Sequence, residues 1–246
     1  MIEIKMFKEV NFKGYTFIEG FPGAGLVGPM TISYIVDKLG MKYVGYLSSD
    51  QFPPLVSIHK NQPMPPIRVY VAEKEKLCTI FAEFAISMEM IAEISNVVYD
   101  FMKKNGISSI YSIGGIPMKA EDENKTPFVI TSSADTSKAA ASAGLKPIDE
   151  GVATGISALL LIKATMDKLP DTNIMVPVQQ GIIDPMYAEI AIEKLNKLMN
   201  LNIDVTELDK EAKMVEAKIR ELINKHKESL DSHKKAVDST GPSMYA

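Results

Sequence analysis

The sequence predicts an α/β protein whose sheet is mostly parallel and covered by helices on both faces. Along roughly the first 200 residues, short runs rich in β-branched and aromatic residues alternate with stretches of helical periodicity. Strands joined through helices pair in parallel, and such sheets are buried on both faces. With 246 residues, of which 46% are hydrophobic, the chain can bury a substantial core.

Local patterns predict the first elements. A buried strand is predicted at residues 15–20 (YTFIEG), and a helix is predicted at the run AGLVGPMTISYIVDKLG. A second strand is predicted at KYVGYL. Five prolines then fall between residues 53 and 66, which exclude a helix and predict a loop or an edge hairpin. The runs IRVYVAE and CTIFAEF, separated by a turn around residues 74–76, predict an antiparallel hairpin.

The second half of the chain continues the alternation. A helix is predicted over Met88–Lys104, because the apolar spacing there is helical and Asn105-Gly106 is a C-cap signal. The run SSIYSIGG predicts a central strand that ends in glycines. Further strands are predicted at FVIT and NIMVPV, and helices at SADTSKAAASAG, at TGISALLLIKATMDKL and from Pro185 to about Asn200.

A different pattern begins after the predicted core domain, which spans residues 1–203. A charged helix is predicted over 204–230, followed by a flexible tail over 231–246 that ends in Met-Tyr-Ala. This helix either lies solvated on its own domain or pairs with a second copy or another protein. The second alternative rests on a narrow seam of heptad spacing, formed by Leu208, Ala212, Val215, Ile219, Leu222 and His226.

Composition and charge exclude several classes of protein. The net charge of −4 argues against a nucleic-acid-binding protein. The N-terminal sequence is not a signal peptide and no apolar run reaches transmembrane length, so we expect a cytoplasmic protein without a membrane partner. The lone Cys78 lies in an apolar run and is predicted to be an inert core thiol. His59, His226 and His233 lack metal-ligand spacing, and no metal site is predicted.

A glycine motif follows the first predicted strand. In EGFPGAGLVG, Gly23, Gly25 and Gly28 match G-x-G-x-x-G, where glycines permit a tight turn and helix N-terminal amides can hold an anion. No acidic residue closes the second strand and no Walker sequence is present, which weakens a nucleotide-binding interpretation. A small-anion pocket and a purely structural turn both remain open. Gly114 and Gly115 end a predicted strand at the edge where α/β sheets bind ligands.

No catalytic constellation emerges from the sequence. Glu19, Glu83 and Glu89 lie near predicted strand ends and could face a crevice, but carboxylates at such positions are commonly held by backbone amides. The glycines leave room for a ligand but have no side chain that could act as an acid, a base or a nucleophile. We therefore predict no catalytic residues, no cofactor and no enzymatic activity.

Three motifs in this order, FPGAGLVG, SIGGIP and GVATGISALLL, resemble the archaeal proteasome assembly chaperone family over roughly the first 200 residues. The resemblance implies a three-layer α/β/α sandwich of the phosphorylase/hydrolase-like type, here with a C-terminal helical extension and tail. A phosphorylase-like fold does not imply a phosphorylase activity.

The resemblance also gives the tail a role. Met244, Tyr245 and Ala246 match the hydrophobic–tyrosine–any-residue motif by which some relatives insert into pockets between α subunits of the 20S proteasome. With this tail the chain looks most like the PbaB type of the family, which acts without ATP. The resemblance suggests a homo-oligomer, with four subunits expected, and unfolded proteins as further candidate partners.

Three functional hypotheses follow. In the first, the protein is an ATP-independent assembly chaperone or activator that binds the 20S α ring through its tails. In the second, it is a small-ligand-binding protein or enzyme that uses the Gly23–Gly28 loop. In the third, it is an oligomeric scaffold whose seam helix binds another protein, so that the last three residues have no role.

Overall fold

The computed structural model describes residues 1–118 and 126–208. Within them, eleven strands and five α-helices alternate along the chain. The strands are β1 (Glu3–Met6), β2 (Thr16–Gly20), β3 (Lys42–Ser48), β4 (Ser57–His59), β5 (Gln62–Met64), β6 (Ile67–Ala72), β7 (Leu77–Ala82), β8 (Ser109–Met118), β9 (Phe128–Thr131), β10 (Lys146–Pro147) and β11 (Asp171–Gln179). The helices are α1 (Val27–Lys38), α2 (Met88–Lys104), α3 (Ala134–Ser142), α4 (Ile156–Asp167) and α5 (Pro185–Met199).

Nine of the described strands form one sheet in the order β1-β3-β6-β7-β2-β8-β11-β9-β10. The central pairs β7–β2, β2–β8 and β8–β11 are parallel, as is the edge pair β9–β10. The other four pairs are antiparallel, so the prediction of a mostly parallel sheet was wrong outside the centre. The antiparallel β6–β7 pair is the predicted hairpin, whereas the directions of β1, β3 and β9 follow from which neighbour each strand joins at the sides of the sheet.

Two apolar layers cover the sheet and confirm the α/β sandwich. One core cluster joins α1 and α5 to one face, and the other joins α2 and α4 to the opposite face. The central strand β2 contributes to both, because Ile18 lies in the first cluster and the adjacent Phe17 in the second. No helix in the described ranges is both long and apolar enough to cross a membrane.

The predicted elements appear at their positions, with one difference at the end of β8. Helix α2 has the predicted bounds and ends at Asn105, followed by Gly106 with φ +70°. The proline-rich segment forms the predicted hairpin, made by β4 and β5. Strand β8 does not end at its glycines but continues to Met118, because Gly114 and Gly115 pair with β11.

The chain after α5 folds back onto α1. The Tyr34 hydroxyl donates a 2.7 Å hydrogen bond to the Asp204 carbonyl, and the Asn196 side chain both donates to and accepts from the backbone of Ile203. Leu208, the first residue of the predicted seam, is buried in the core of its own domain. The division between a core over 1–203 and a separate helix over 204–230 stays a prediction.

A buried ion pair lies beneath the β4–β5 hairpin. Arg68 on β6 is 1% exposed and bonds to the Glu83 carboxylate, with 3.0 Å between Nη1 and Oε2. The Arg68 Nε group donates to the Tyr70 hydroxyl, and His59 of the hairpin contacts Glu83 at 2.9 Å. Burial by itself would raise the pKa of Glu83, but the hydrogen bonds from His59 and Arg68 and the Arg68 charge hold it well below its usual range. The hairpin is thereby tied to the sheet.

We expect Arg68→Met to destabilise the protein by about 3–5 kcal/mol, because it leaves the Glu83 carboxylate buried without its main countercharge. Urea unfolding monitored by circular dichroism measures the change. Lys42→Met removes the exposed Lys42–Glu73 pair and serves as the matched control, with an expected cost within about 1 kcal/mol. Equal costs for the two variants would show that the buried pair is not specially important.

Candidate functional site

A cavity of about 680 Å³ lies beyond the carboxyl end of β2, against the second half of β8 and the first half of β11. This is the edge at which open α/β sheets bind ligands. The walls are mainly apolar, and the contributing segments are the loop after β2, the start of α2, the end of β8, the segment 148–155 and the first turn of α4. The cavity size is typical of small-molecule sites.

The glycine motif forms a compact turn beside the cavity, and its first glycine, Gly23, is part of the lining. After β2 the chain passes through Gly23 into a 3₁₀ turn at Ala24–Leu26 and then into α1. Gly25 has φ +66°, and a Cβ atom there would lie 2.8 Å from Val178 Cγ1. Substitution of Gly25 would therefore disturb packing before it affected any ligand.

Two further glycines let the turn approach the sheet closely. A Cβ atom on Gly28 would lie 2.7 Å from the Ile113 carbonyl oxygen, and one on Gly115 would overlap the Ala24 carbonyl group. In contrast, the Cβ positions of Gly23 and Gly114 meet nothing within 4 Å. Packing accounts for Gly25, Gly28 and Gly115, which supports the structural-turn alternative, whereas Gly23 and Gly114 leave open space. Anion binding by the loop stays a prediction.

A row of polar side chains runs beneath the cavity. Glu19, Ser112 and Asn173 are in register across β2, β8 and β11. Glu19 is fully buried, and its carboxylate accepts hydrogen bonds from the Ser157 hydroxyl and, at 3.1 Å, from the Phe21 amide. Burial raises the pKa of Glu19, and these hydrogen bonds partly oppose the rise. Glu19 thus connects β2 to the first turn of α4.

Asp171 is a second buried carboxyl group on the same side of the sheet. It is fully buried, and no described residue hydrogen-bonds to its side-chain oxygens. Burial, and secondarily the charge of Glu19, raise the pKa of Asp171 well above its usual range. This carboxyl group therefore favours its neutral form.

The other residues considered as reactive groups lie elsewhere. Glu83 belongs to the ion pair with Arg68, and Glu89 is exposed in the first turn of α2. Cys78 is fully buried, and burial raises the pKa of its thiol, as predicted for a core cysteine. His226 and His233 fall outside the described residues. Within 1–118 and 126–208, no three His, Cys, Asp or Glu side chains are placed to hold a metal ion.

The predicted partner-binding residues cannot be placed. Met244, Tyr245 and Ala246 lie outside the described residues, as do all seam positions after Leu208, namely Ala212, Val215, Ile219, Leu222 and His226. Their roles stay predictions.

Two groups that the sequence analysis missed are Arg68 and Asn173. Arg68 is a charged residue inside the otherwise apolar strand run IRVYVA, and such a residue requires a buried partner, so this signal could have identified it. Asn173 follows Asp171 and Thr172 at the polar start of β11, and no comparable local signal marks it.

Comparison with known proteins gives the class of protein. The model of the PAC2 family matches residues 17–223. This match spans most of the chain, and the protein belongs to the PAC2 family.

Individual relatives agree with this assignment. The chain is 30% identical to the uncharacterised protein MJ0106 of Methanocaldococcus jannaschii over 218 residues, which is 89% of each chain. It is 27% identical to Pyrococcus furiosus PbaA, an archaeal homologue of proteasome-assembly chaperone, with a TM-score of 0.83 over 92% of this chain and 100% of that chain. The match to Pyrococcus furiosus PbaB, an archaeal proteasome activator, has 22% identity and a TM-score of 0.74 over 90% of this chain and 98% of that chain, and shows a shared fold. The family resemblance drawn from the sequence motifs is confirmed.

We expect Gly115→Ala to destabilise the protein by about 1–3 kcal/mol, because the added methyl group overlaps the Ala24 carbonyl. The adjacent Gly114→Ala has open space and should cost little or even stabilise the strand, by up to about 1 kcal/mol. Urea unfolding of both variants measures the difference. Equal stability of the two would contradict the close contact between loop and sheet.

Asp171→Asn should raise the free energy of unfolding more at pH 8 than at pH 5. In the native state Asp171 keeps its proton at pH values at which the unfolded chain has already lost it. The free energy of unfolding therefore falls as the pH rises toward the folded pKa. The asparagine variant lacks this loss, which amounts to at most about 1.4 kcal/mol per pH unit.

Urea unfolding at both pH values measures this effect, and Asp100→Asn at an exposed position is the control. A stability gain that is the same at pH 5 and pH 8 would contradict the raised pKa of Asp171.

Proposed function

We propose that this PAC2-family protein is an ATP-independent proteasome assembly chaperone homologue or activator that binds the α ring of the 20S core particle through its C-terminal tails. The observation that carries the proposal is the match to the whole of PbaA, an archaeal homologue of proteasome-assembly chaperone. The tail sequence Met244-Tyr245-Ala246 supplies the proposed point of contact. Its presence supports the PbaB type as the functional counterpart.

The energetics of a single tail favour several copies. Burial of a tyrosine removes about 150–250 Å² from water, which corresponds to roughly 4–6 kcal/mol. Ordering three residues costs about 1–2 kcal/mol each, and association adds its own entropy cost. A charge-assisted contact of the terminal carboxylate returns only about 1.5–3 kcal/mol.

A useful affinity therefore requires several tails presented together, whose combined binding can exceed that of one by about 10²–10⁴-fold. This is a physical reason to propose a homo-oligomer, with the seam helix as a candidate interface and four subunits as the expected number.

The length of the segment before the last three residues is compatible with this mode of binding. If residues 231–243 behave as a flexible chain, they span roughly 20 Å on average and about 45 Å when extended. A tail on such a tether can enter a pocket without a fixed orientation of the folded core.

Two of the buried acids have partners within the fold. Glu83 is neutralised by Arg68, and Glu19 accepts hydrogen bonds that attach α4 to β2. Both carboxylates therefore have a packing role that needs no substrate.

Removal of Met244–Ala246 should abolish co-sedimentation with archaeal 20S particles while leaving the far-ultraviolet circular dichroism and the unfolding midpoint unchanged. Tyr245→Ala should have nearly the same effect, because the ring supplies most of the buried area. A chain extended by one glycine after Ala246 keeps the side chains but displaces the carboxylate, and should bind more weakly. Peptide hydrolysis by the complex then separates gate opening from assembly.

The truncated chain and the full chain are compared at equal subunit concentration and equal oligomeric state. Undiminished binding without the last three residues would overturn the proposed role of the tail. Binding that depends instead on Leu222 would favour the scaffold alternative, in which the seam helix contacts the partner.

A further inference from the structure

The cavity at the carboxyl edge of the sheet contains a polar group without a partner. Asn173 on β11 is 4% exposed and lines the cavity. None of the hydrogen bonds within residues 1–118 and 126–208 involves its side-chain amide. Buried polar groups in proteins are nearly always paired, and each exception calls for a specific explanation. A carboxamide offers donors and an acceptor side by side.

The charge around the cavity excludes one kind of occupant. Asp149 and Glu150 line it from exposed positions, and the lining contains no Lys, Arg or His among the described residues. An anion bound there would face acidic side chains with no countercharge. An uncharged or cationic molecule meets no such repulsion.

The remaining lining selects for an apolar body. Phe21, Ile91 and Ile116 come from the loop after β2, from α2 and from β8, and they line the space beside Asn173 together with further isoleucine, proline and valine residues. Gly114, adjacent to this floor on β8, leaves its Cβ position open. Apolar walls with few polar groups are typical of small-molecule sites.

We propose that this cavity is a binding site for a small uncharged or cationic molecule that has an apolar ring face and a carboxamide-like donor–acceptor pair, which Asn173 recognises. The site includes Gly23, Gly114 and Gly115 of the predicted glycine pocket, but not Gly25 and Gly28, and its lining favours an uncharged or cationic molecule over an anion. It is also independent of the tail and does not rest on the proposed proteasome binding.

Three probes of nearly equal shape test the proposal: benzamide, benzamidine and benzoate. Ligand-observed NMR titrations with the full chain should give a millimolar dissociation constant for benzamide, similar or tighter binding of benzamidine, and at least about tenfold weaker binding of benzoate. Asn173→Leu should weaken benzamide about three- to tenfold, the loss expected for one neutral hydrogen-bonding group.

Gly114→Val is the second variant, because its side chain would enter the open space and exclude the probe while a β-branched residue suits a strand. It should abolish benzamide binding without loss of thermal stability, and it decides the outcome if Asn173→Leu does not fold. Ile162→Gln, at an exposed position on α4 outside the cavity lining, controls for nonspecific apolar binding and should leave the affinity unchanged.

The proposal is overturned if benzoate binds as tightly as benzamide, if benzamide does not bind the folded full chain up to its solubility limit, or if Gly114→Val binds it normally. None of these outcomes affects the test of the tail, since proteasome binding is measured separately by sedimentation.

Discussion

The close contact between the glycine turn and the central sheet constrains the rest of the structure. The Ala24 carbonyl lies where a side chain of Gly115 would be, and Gly28 packs against the Ile113 backbone. Because of this approach, α1 begins directly over β8 and can bury its apolar face against the sheet and α5. The residues that lead into this turn, Phe21–Gly23, line one side of the cavity. The position of the helix layer and the shape of the cavity therefore depend on glycines whose main role is to occupy no space.

The sequence predicted those parts of the fold that depend on local pattern. Helix α2 was predicted with its observed bounds, because the apolar spacing, the Asn105-Gly106 cap and the start of the following strand all indicate the same helix. The proline-rich segment and the β6–β7 hairpin were predicted for equally local reasons, namely the missing amide donors and a tight turn. Apart from the β6–β7 hairpin, strand direction outside the centre was not predicted, because it depends on which edge of the sheet a strand joins. Strand β9 could equally have continued the parallel order, and only its pairing with β11 decides the direction.

The candidate site was predicted only in part, for a related reason. Gly114 and Gly115 look alike in the sequence, but they alternate across the strand, so that one faces open space and the other faces the turn. Asn173 becomes informative only when β8 and β2 place Ser112 and Glu19 beside it. Arg68 likewise has meaning only with Glu83, which lies fifteen residues later and is brought opposite by the hairpin. Pairings between distant residues are tertiary facts that no local pattern contains.

Core and tail must be judged separately, because they obey different physical constraints. The similarity to PbaA extends over the whole of that chain and concerns packing that fixes the fold. The tail motif comprises three residues. Binding by such a motif requires only an apolar side chain, an aromatic ring and a free carboxylate, presented by several tails at once. Identity is higher with PbaA than with PbaB, although the tail suggests the PbaB type. The similarity of the core concerns the fold, and the proposed docking element lies outside the described residues. This separability explains how a ligand site within the fold and a docking element at the chain end could operate in one protein without competing for the same residues.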